Sequence, residues 1–293
     1  MQAQKRTIWK PSLKEFLIFF GPLALFYLVY YVFSAGFLIK TAFQKISMAL
    51  VNGKWVGFKN FELLLTDPSF ITALENNFIF AAVSIIAGLT IGFFIAVTLS
   101  SGVRGKSLYY GIFLLPTLMP LALVATVFRN MLESRYGSVN ETLRNIGLDA
   151  LAQSWLIEPN LAFGVVIVLF VYLIGLPVLY YTANLSNINT SLIEAAVLDG
   201  ASTPRLFAQI LFPLMKGTHK TIIISTLLMS FRAFDVVFFS TGGGPAGSTE
   251  ITGTYVYNFS TSGTNLGYAS AAALLVMIVS LIISAIQLLI SRK

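Results

Sequence analysis

Six apolar segments, each long enough to cross a lipid bilayer as a helix, constrain this chain more than any other feature. A helix needs about 20 predominantly apolar residues to cross the hydrocarbon core. We therefore predict an all-α membrane protein with six transmembrane helices. The predicted spans are residues 16–39, 77–99, 108–128, 161–183, 221–240 and 266–290.

The composition agrees with this class and excludes several kinds of chemistry. Only 11% of the residues are charged and 56% are hydrophobic, whereas a soluble domain carries about 25% charged residues. The chain has no cysteine, which excludes disulfides, thiolate catalysts and thiolate metal sites. A single histidine, His219, excludes a cluster of several histidines around a metal. We predict neither a catalytic site nor a metal site.

Basic residues predict the orientation, because lysine and arginine concentrate on the cytoplasmic side. The first span follows Lys5, Arg6, Lys10 and Lys14. Its apolar run exceeds the roughly 7–15 residues of a signal-peptide core, so we interpret it as a retained membrane helix. Six spans and this bias place both termini in the cytoplasm. The prediction gives a cytoplasmic segment 1–15, a membrane domain 16–293, cytoplasmic loops 100–107 and 184–220, and outer loops 40–76, 129–160 and 241–265.

The turn before the third span ends in Gly105, Lys106 and Ser107, like the tail of a phosphate-binding loop. That loop requires a glycine where this chain has Ser100, and it requires a preceding strand. We therefore expect no ATP site here. If ATP drives this protein, another chain must bind it.

Small residues recur every four positions in the second span, at Ser84, Gly88, Gly92 and Ala96. Such a ladder lets helix backbones approach closely in a membrane. It serves packing within one chain or contact with a partner, and we favour packing within the chain.

Interrupted helices and polar residues indicate a candidate solute pathway. The third span contains Pro116 and Pro120, and interruptions of this kind are either simple kinks or features near a transported solute. Arg232 and Asp235 are three residues apart, which places them on one helical face as an ion pair or as part of a polar pathway. The candidate pathway residues are Gly175, Pro177, Thr226, Met229, Ser230 and Asp235.

The loop 184–220 contains the signals of two short helices. Ser191 and Glu194 fit a capping box for a helix over 192–199, and Gly200 would end it. Glu194 either completes that cap or presents its carboxylate to a partner, and the residues leave both roles open. A second helix would begin with Thr203 as its cap and Pro204 at its first position, and Pro213 would close it. Its apolar stripe comprises Leu206, Phe207, Ile210, Leu211 and Leu214.

The stretch EAAVLDGASTPRLFAQILFPL, residues 194–214, resembles the EAA loop of permease subunits of binding-protein-dependent ABC importers. The positions that match that pattern are Glu194, Ala195, Ala196, Gly200, Ile210 and Pro213, while Phe212 stands where leucine is usual. The stretches YGSVNETLRNIG, FDVVFFSTGGGP and GYASAAALL resemble the carbohydrate-uptake branch, which includes multiple-sugar and glycerol-3-phosphate importers.

The resemblance implies the type I ABC importer permease fold in a bacterial cell membrane. It also implies a second permease subunit, two ATPase subunits that hold ATP and Mg²⁺, and an external solute-binding protein. No cofactor is expected in this chain. The residues implied to couple to an ATPase are Glu194, Ala195, Ala196, Asp199, Gly200, Arg205, Ile210 and Pro213.

Two other classes of protein fit the sequence less well. A transporter driven by an ion gradient needs titratable groups inside the membrane, and the spans offer only Asp235, close to Arg232. A membrane-embedded enzyme needs a catalytic constellation, such as a cluster of histidines or cysteines, that the composition does not supply. An importer subunit without catalytic activity of its own is therefore the favoured prediction.

Overall fold

The computed structural model describes residues 12–47, 49, 53–262 and 265–291. Within these ranges the regular secondary structure is helical except for one antiparallel hairpin, formed by β1 (Gln44–Lys45) and β2 (Lys54–Trp55). The all-α prediction is therefore right apart from this hairpin in the first predicted outer loop. The basic residues Lys5, Arg6, Lys10, Arg292 and Lys293, on which the predicted orientation partly depends, lie outside the described residues.

The helices follow one another with short connections. In chain order they are α1 (Leu13–Ala42), α2 (Lys59–Leu65), α3 (Pro68–Ser100), α4 (Lys106–Leu118), α5 (Leu121–Met131), α6 (Ser138–Asn145), α7 (Pro159–Leu185), α8 (Thr190–Leu198), α9 (residues 203–214), α10 (Lys216–Phe231), α11 (Phe234–Ser240), α12 (Thr252–Thr261) and α13 (Leu266–Ser291).

All six predicted spans fall on helical segments, but two of them are bent. In the described part of the chain four helices, α1, α3, α7 and α13, have the length and apolar composition to cross a membrane alone. The pairs α4–α5 and α10–α11 meet at bends of 99° and 50°, and counting each pair as one span gives up to six crossings. The third predicted span is therefore interrupted, as its prolines indicated, and the fifth is bent although no interruption was predicted there.

The bend between α4 and α5 has a local cause. Between α4 and α5, Met119 is extended (φ −80°, ψ 148°), and Pro120 follows as the N-cap of α5. Because the residue before a proline is disfavoured in the helical region, the helix ends at Leu118. Pro116 lies inside α4 without ending it. Between α10 and α11 the break falls at Arg232 and Ala233.

The small-residue ladder of α3 packs within this chain. Ser84, Gly88, Gly92 and Ala96 are all buried. A Cβ atom added at Gly88 would lie 3.0 Å from Pro177 of α7, and one at Gly92 would lie 3.1 Å from the same ring. The favoured interpretation of the ladder is confirmed, since the glycines let α7 approach the backbone of α3.

Asn77 of α3 joins the broken fifth predicted span to the start of α12. Its side-chain amide donates to the carbonyl of Ser230 at 3.0 Å. Its oxygen accepts from the backbone N–H and the hydroxyl of Thr252, both at 2.8 Å. A polar side chain thus satisfies a backbone group that the helix break would leave without a partner in a membrane.

Asp67 is the N-cap of α3 and joins it to α12 and α13. One carboxylate oxygen accepts from the N–H of Ser69, and the other accepts from the hydroxyls of Tyr255 and Tyr268, at 2.5 and 3.0 Å. Partial burial alone would raise the pKa of Asp67, but the hydrogen bonds, that from Tyr255 foremost, outweigh burial and lower it. The ionised carboxylate is therefore stabilised in the folded protein.

Helix α1 stands apart from the rest of the bundle. No residue of Leu13–Tyr27 or Leu28–Phe33 is buried, and in Ser34–Ala42 only Thr41 and Ala42 are buried. The hydroxyl of Thr41 bonds to that of Ser270 on α13 at 2.9 Å. The bundle therefore covers only the end of a strongly apolar helix.

Candidate functional site

The loop 184–220 contains a short helix, α8, whose N-terminus differs from the prediction. The side chain of Asn189 accepts from the N–H of Ser191 at 3.1 Å, and α8 runs over Thr190–Leu198. The predicted short helix is therefore present, but the Ser191–Glu194 capping box is wrong and the helix begins two residues before the predicted Leu192. Asparagine is as strong a cap as serine, and here the chain reaches it two residues earlier. Glu194 is exposed, and its side chain has no hydrogen-bond partner among the described residues.

The C-terminus of α8 is as predicted. Asp199 is the C-cap, and Gly200 adopts φ +80°. The N–H of Gly200 donates to Val197 at 3.0 Å, and that of Ala201 donates to Ala196 at 2.9 Å. These two bonds form a Schellman motif, which satisfies the last carbonyls of the helix and is strained for residues other than glycine. Gly200 as the terminating residue is confirmed.

Both ends of the second helix of the loop, α9, differ from the prediction. Its N-cap is Ser202 rather than Thr203, so Pro204 is the second residue of the helix. Its middle, Leu206–Leu211, is π-helical. Pro213 was predicted to close this helix, but it lies within Phe212–Leu214, and the break follows at Met215. Pro213 therefore lies in the last turn of α9, and only Leu214 follows it in the helix.

The two helices of the loop have one face that packs on the bundle and one face that is exposed. Ile193, Leu206, Phe207 and Leu211 pack against the apolar cluster around Phe93, and Ala196 is buried. On the other face of α8, Leu192 and Val197 are 46% and 56% exposed, and Leu198 is 87% exposed. The candidate coupling residues divide between the faces: Ala196 is buried and Ile210 half-buried, whereas Glu194, Ala195, Asp199, Gly200, Arg205 and Pro213 are exposed.

A small cavity lies among α3, α5, α7, α10 and α11. Its volume is about 50 Å³, which is room for a few water molecules at most. Four candidate pathway residues line it, namely Pro177, Thr226, Met229 and Ser230. The hydroxyls of Ser84 and Ser225 add to the polar lining, and that of Ser84 is buried without a hydrogen-bond partner in the described structure.

The other two candidate pathway residues lie elsewhere. A Cβ atom at Gly175 would come within 2.5 Å of the Phe113 carbonyl, so Gly175 permits close contact between α7 and α4. Asp235 is exposed and is not among the cavity-lining residues. Arg232 and Asp235 were predicted on one continuous helical face, which is wrong because the helix breaks between them, and no ion pair joins them in the described structure.

The local sequence pattern does not predict the polar side chains that connect distant elements of the fold. Asn77, Asp67 and Tyr255 bond to residues more than 150 positions away. One signal was available, because adjacent asparagines at 76–77 at the start of an apolar span are costly unless they have partners. The partners themselves could not be read from the local pattern.

The fold is that of a transport subunit embedded in the membrane. One solved structure superposes with a TM-score of 0.80 at 22% identity and covers 96% of both chains; it is described as a bacterial ABC transporter involved in the import of the acidic polysaccharide alginate. The family model of the binding-protein-dependent transport system inner membrane component matches residues 88–293. The chain belongs to this family and is an ABC transporter permease.

Relatives in several organisms match most of the chain. A probable ABC transporter permease, YurN of Bacillus subtilis, is 31% identical and covers 80% of this chain and 81% of its own. The multiple sugar-binding transport system permease MsmF of Streptococcus mutans is 29% identical, with 83% of each chain covered. The sn-glycerol-3-phosphate permease UgpA of Brucella suis is 28% identical over 97% of this chain and 96% of its own.

Proposed function

We propose that this chain forms half of the translocation pathway of an ATP-driven importer for a sugar or oligosaccharide. In this proposal the loop 184–220 faces the cytoplasm and couples the permease to an ATPase subunit, which holds ATP and Mg²⁺. An external solute-binding protein delivers the solute from the other side. The names of the relatives MsmF and UgpA support the class of solute.

The observation that carries the coupling role is the exposed face of α8. Leu192, Val197 and Leu198 expose apolar surface, and Glu194 stands exposed among them. Exposed apolar patches with polar neighbours are typical of protein interfaces. The opposite face of the loop packs on the bundle, so a partner that moves α8 would also move the spans beneath it.

The carboxylate of Glu194 is available to such a partner because Asn189, not Glu194, provides the cap of α8. A carboxylate presented to basic residues of an ATPase would add charge-assisted hydrogen bonds to the apolar contact. The capping role and the partner role were open alternatives for Glu194, and the observed cap favours the partner role.

The decisive experiment replaces Glu194 with lysine and measures the ATPase stoichiometry of the purified complex. We expect Glu194→Lys to insert in the membrane normally and to lose bound ATPase, because a like charge would then face the basic partner site. The matched control is Glu141→Lys on α6, an exposed glutamate in a predicted outer loop. Full stoichiometry and full ATP hydrolysis in the Glu194→Lys complex would contradict the proposal.

The cavity supports a solute pathway through this subunit. Hydroxyl groups from Ser84, Ser225, Thr226 and Ser230 line it, and such groups can exchange hydrogen bonds with the hydroxyls of a sugar. The cavity is too small for a sugar ring, so the helices around it would have to separate during transport. Asp235 is exposed and does not line this cavity. We therefore place it only at the outer end of the proposed pathway.

A second permease subunit is supported by α1. Its residues Leu13–Phe33 bury nothing against their own chain, and several of its aromatic side chains are more than half exposed. A homologous subunit packed against this helix would complete the pathway.

The alternative function is a secondary transporter driven by an ion gradient. It predicts uptake without any ATPase, so co-purification of an ATPase with this chain separates the two functions.

A further inference from the structure

His219 connects the end of α9 to α7. Its Nε2 lies 2.8 Å from the carbonyl oxygen of Phe212, and its Nδ1 lies 2.7 Å from the hydroxyl of Tyr181. Since a carbonyl can only accept, Nε2 carries the proton, and in a neutral ring Nδ1 then accepts from the tyrosine. Both ring nitrogens are used, and we call this arrangement of His219, Tyr181 and Phe212 the His219 bridge.

Aromatic packing surrounds the bridge on the side of α3. Tyr181 is fully buried. The ring of Phe93 meets those of Tyr181 and Phe212 edge-on, with centroids 5.3 and 5.2 Å apart, and the ring of Phe212 lies 4.1 Å from that of His219. Phe93 of α3 and His219 of α10 therefore both contact Phe212, at the start of the last turn of α9, and His219 bonds in turn to Tyr181 of α7.

The bridge spans a weak point of the backbone. Met215 (φ −84°, ψ 12°) separates α9 from α10, and its N–H is shared between the carbonyls of Leu211 and Phe212, each at 3.2 Å. A helix junction with weakened hydrogen bonds is a place where a hinge can absorb a displacement. His219 lies on the far side of this junction and bonds back across it.

We propose that His219 is a positioning residue that locks the α9–α10 junction, so that a displacement of the coupling loop reaches α7 and α10 together. This inference rests on the proposed function, because it assumes that an ATPase moves the loop. Without the bridge, the break at Met215 would take up the movement. ATP would still be hydrolysed, but the membrane spans would not follow.

A second contact between the same spans provides a control. Asn184 of α7 donates to the hydroxyl of Thr218 on α10 at 2.7 Å. This bond joins α7 to α10 without involving Phe212. Loss of it should loosen the two spans but leave the junction locked, which separates the role of the bridge from general packing.

The test uses the assembled complex and a reporter that needs no known solute. Since the chain has no cysteine, Thr226→Cys places a single thiol at the cavity. The measured quantities are ATP hydrolysis and the change in N-ethylmaleimide labelling of that thiol when ATP and vanadate are added. The variants His219→Phe, His219→Asn, His219→Gln and Asn184→Ala are compared in this background.

We expect His219→Phe and His219→Asn to keep hydrolysing ATP while the change in labelling falls by about tenfold, as for a buried polar group that has lost its partner. Glutamine places an amide N–H where His219 has Nε2–H, so it keeps the bond to Phe212 that crosses the junction, although it offers Tyr181 no acceptor at the position of Nδ1. Because the Phe212 bond is the one that locks the junction, His219→Gln should retain the change to within about twofold. Asn184→Ala should retain it as well.

The outcomes divide clearly. An unchanged labelling response in His219→Phe, or an equal loss in His219→Asn and His219→Gln, would overturn the role of His219. If His219→Phe does not assemble, the comparison of the asparagine and glutamine variants decides. Absence of ATP hydrolysis and of any ATP-dependent labelling change in the parent complex would instead contradict the proposed function.

Discussion

At the scale of single residues, Asp67 combines two functions that sequence patterns treat separately. It caps α3 through the N–H of Ser69, and it binds Tyr255 and Tyr268 from two other helices. The hydroxyls of the two tyrosines also lie 2.9 Å from each other. A carboxylate that accepts several hydrogen bonds favours its ionised form, so the charge itself holds these three helices together.

We predict that Asp67→Asn lowers the free energy of unfolding by about 1.5–3 kcal/mol, the usual worth of hydrogen bonds to a charged group. The measurement is thermal unfolding in detergent, with the exposed Asp149→Asn as the control. Because the pKa of Asp67 is lowered from 3.8, its contribution is present above that value and disappears as the pH falls through the folded-state pKa. The difference between wild type and variant should therefore narrow below about pH 4. A difference that stays constant well below pH 4 would contradict the role of the charge.

Gly175 illustrates a residue whose value is the absence of a side chain. A Cβ atom there would clash with the carbonyl of Phe113, while Gly164 in the same helix has nothing within 4 Å. We predict that Gly175→Ala destabilises the protein by about 1–3 kcal/mol through overpacking, whereas Gly164→Ala leaves it unchanged or slightly more stable. Equal unfolding midpoints for the two variants in detergent would contradict this prediction, because α4 would then move away from the added methyl group without a cost in stability.

At the scale of elements, local signals predicted helices better than helix ends. The apolar runs located every span, and Gly200 located the end of α8. The start of α8 was misplaced because Asn189 and Ser191 are both good caps, and only the structure selects between them. Pro120 marks the break at Met119 locally. The breaks at Met215 and Arg232 carry no strong local signal of their own, and partners distant in the sequence, such as Tyr181 and Asn77, support them.

The same limit applies to the candidate site. The spacing of the loop residues identified the exposed helix and its terminating glycine, because both depend on neighbours along the chain. The cavity brings Pro177 together with Thr226 and Ser230 across two spans, and it could only be guessed from interruptions in those spans. Asp235 was misassigned to the same face as Arg232 because a continuous helix was assumed.

Gly200 provides the prediction at this scale. Its φ of +80° costs a residue with a side chain about 1–2 kcal/mol. We predict that Gly200→Ala speeds amide hydrogen exchange over residues 190–214 by roughly 5–30-fold, the factor that this cost implies. The matched control is Gly102→Ala, with φ +84° in the turn before α4 and nothing within 4 Å. If both variants leave exchange in the loop unchanged, the Schellman motif does not hold α8 in place.

At the scale of the whole molecule, the two ends of the bundle differ in construction. One end carries the α8–α9 loop, with apolar and charged side chains exposed together. The other carries the hairpin, α6, α12 and the Asp67 and Asn77 connections. The first end offers a surface to a partner that moves, while the second fixes the helices to one another. This division agrees with the proposed function, in which an ATPase acts at one end of the bundle and a solute-binding protein delivers the solute at the other.

The orientation that this division requires is open to a direct test. Because the chain has no cysteine, a single introduced thiol reports which side of the membrane it faces. We predict that a membrane-impermeant maleimide labels Tyr136→Cys, which is 85% exposed in the segment between α5 and α6, in intact cells. It should label Ser101→Cys, exposed in the turn before α4, only after permeabilisation.

Leu198→Cys extends the experiment from orientation to docking, since this side chain is 87% exposed at the end of α8. In permeabilised membranes we expect labelling when the chain is expressed alone and at least roughly fivefold slower labelling when the ATPase subunit is co-expressed, because a docked partner would bury the apolar patch. Ser101→Cys serves as the control that stays accessible in both cases. Labelling of Leu198→Cys from outside intact cells would reverse the proposed orientation, and labelling unaffected by the ATPase would place its docking surface elsewhere.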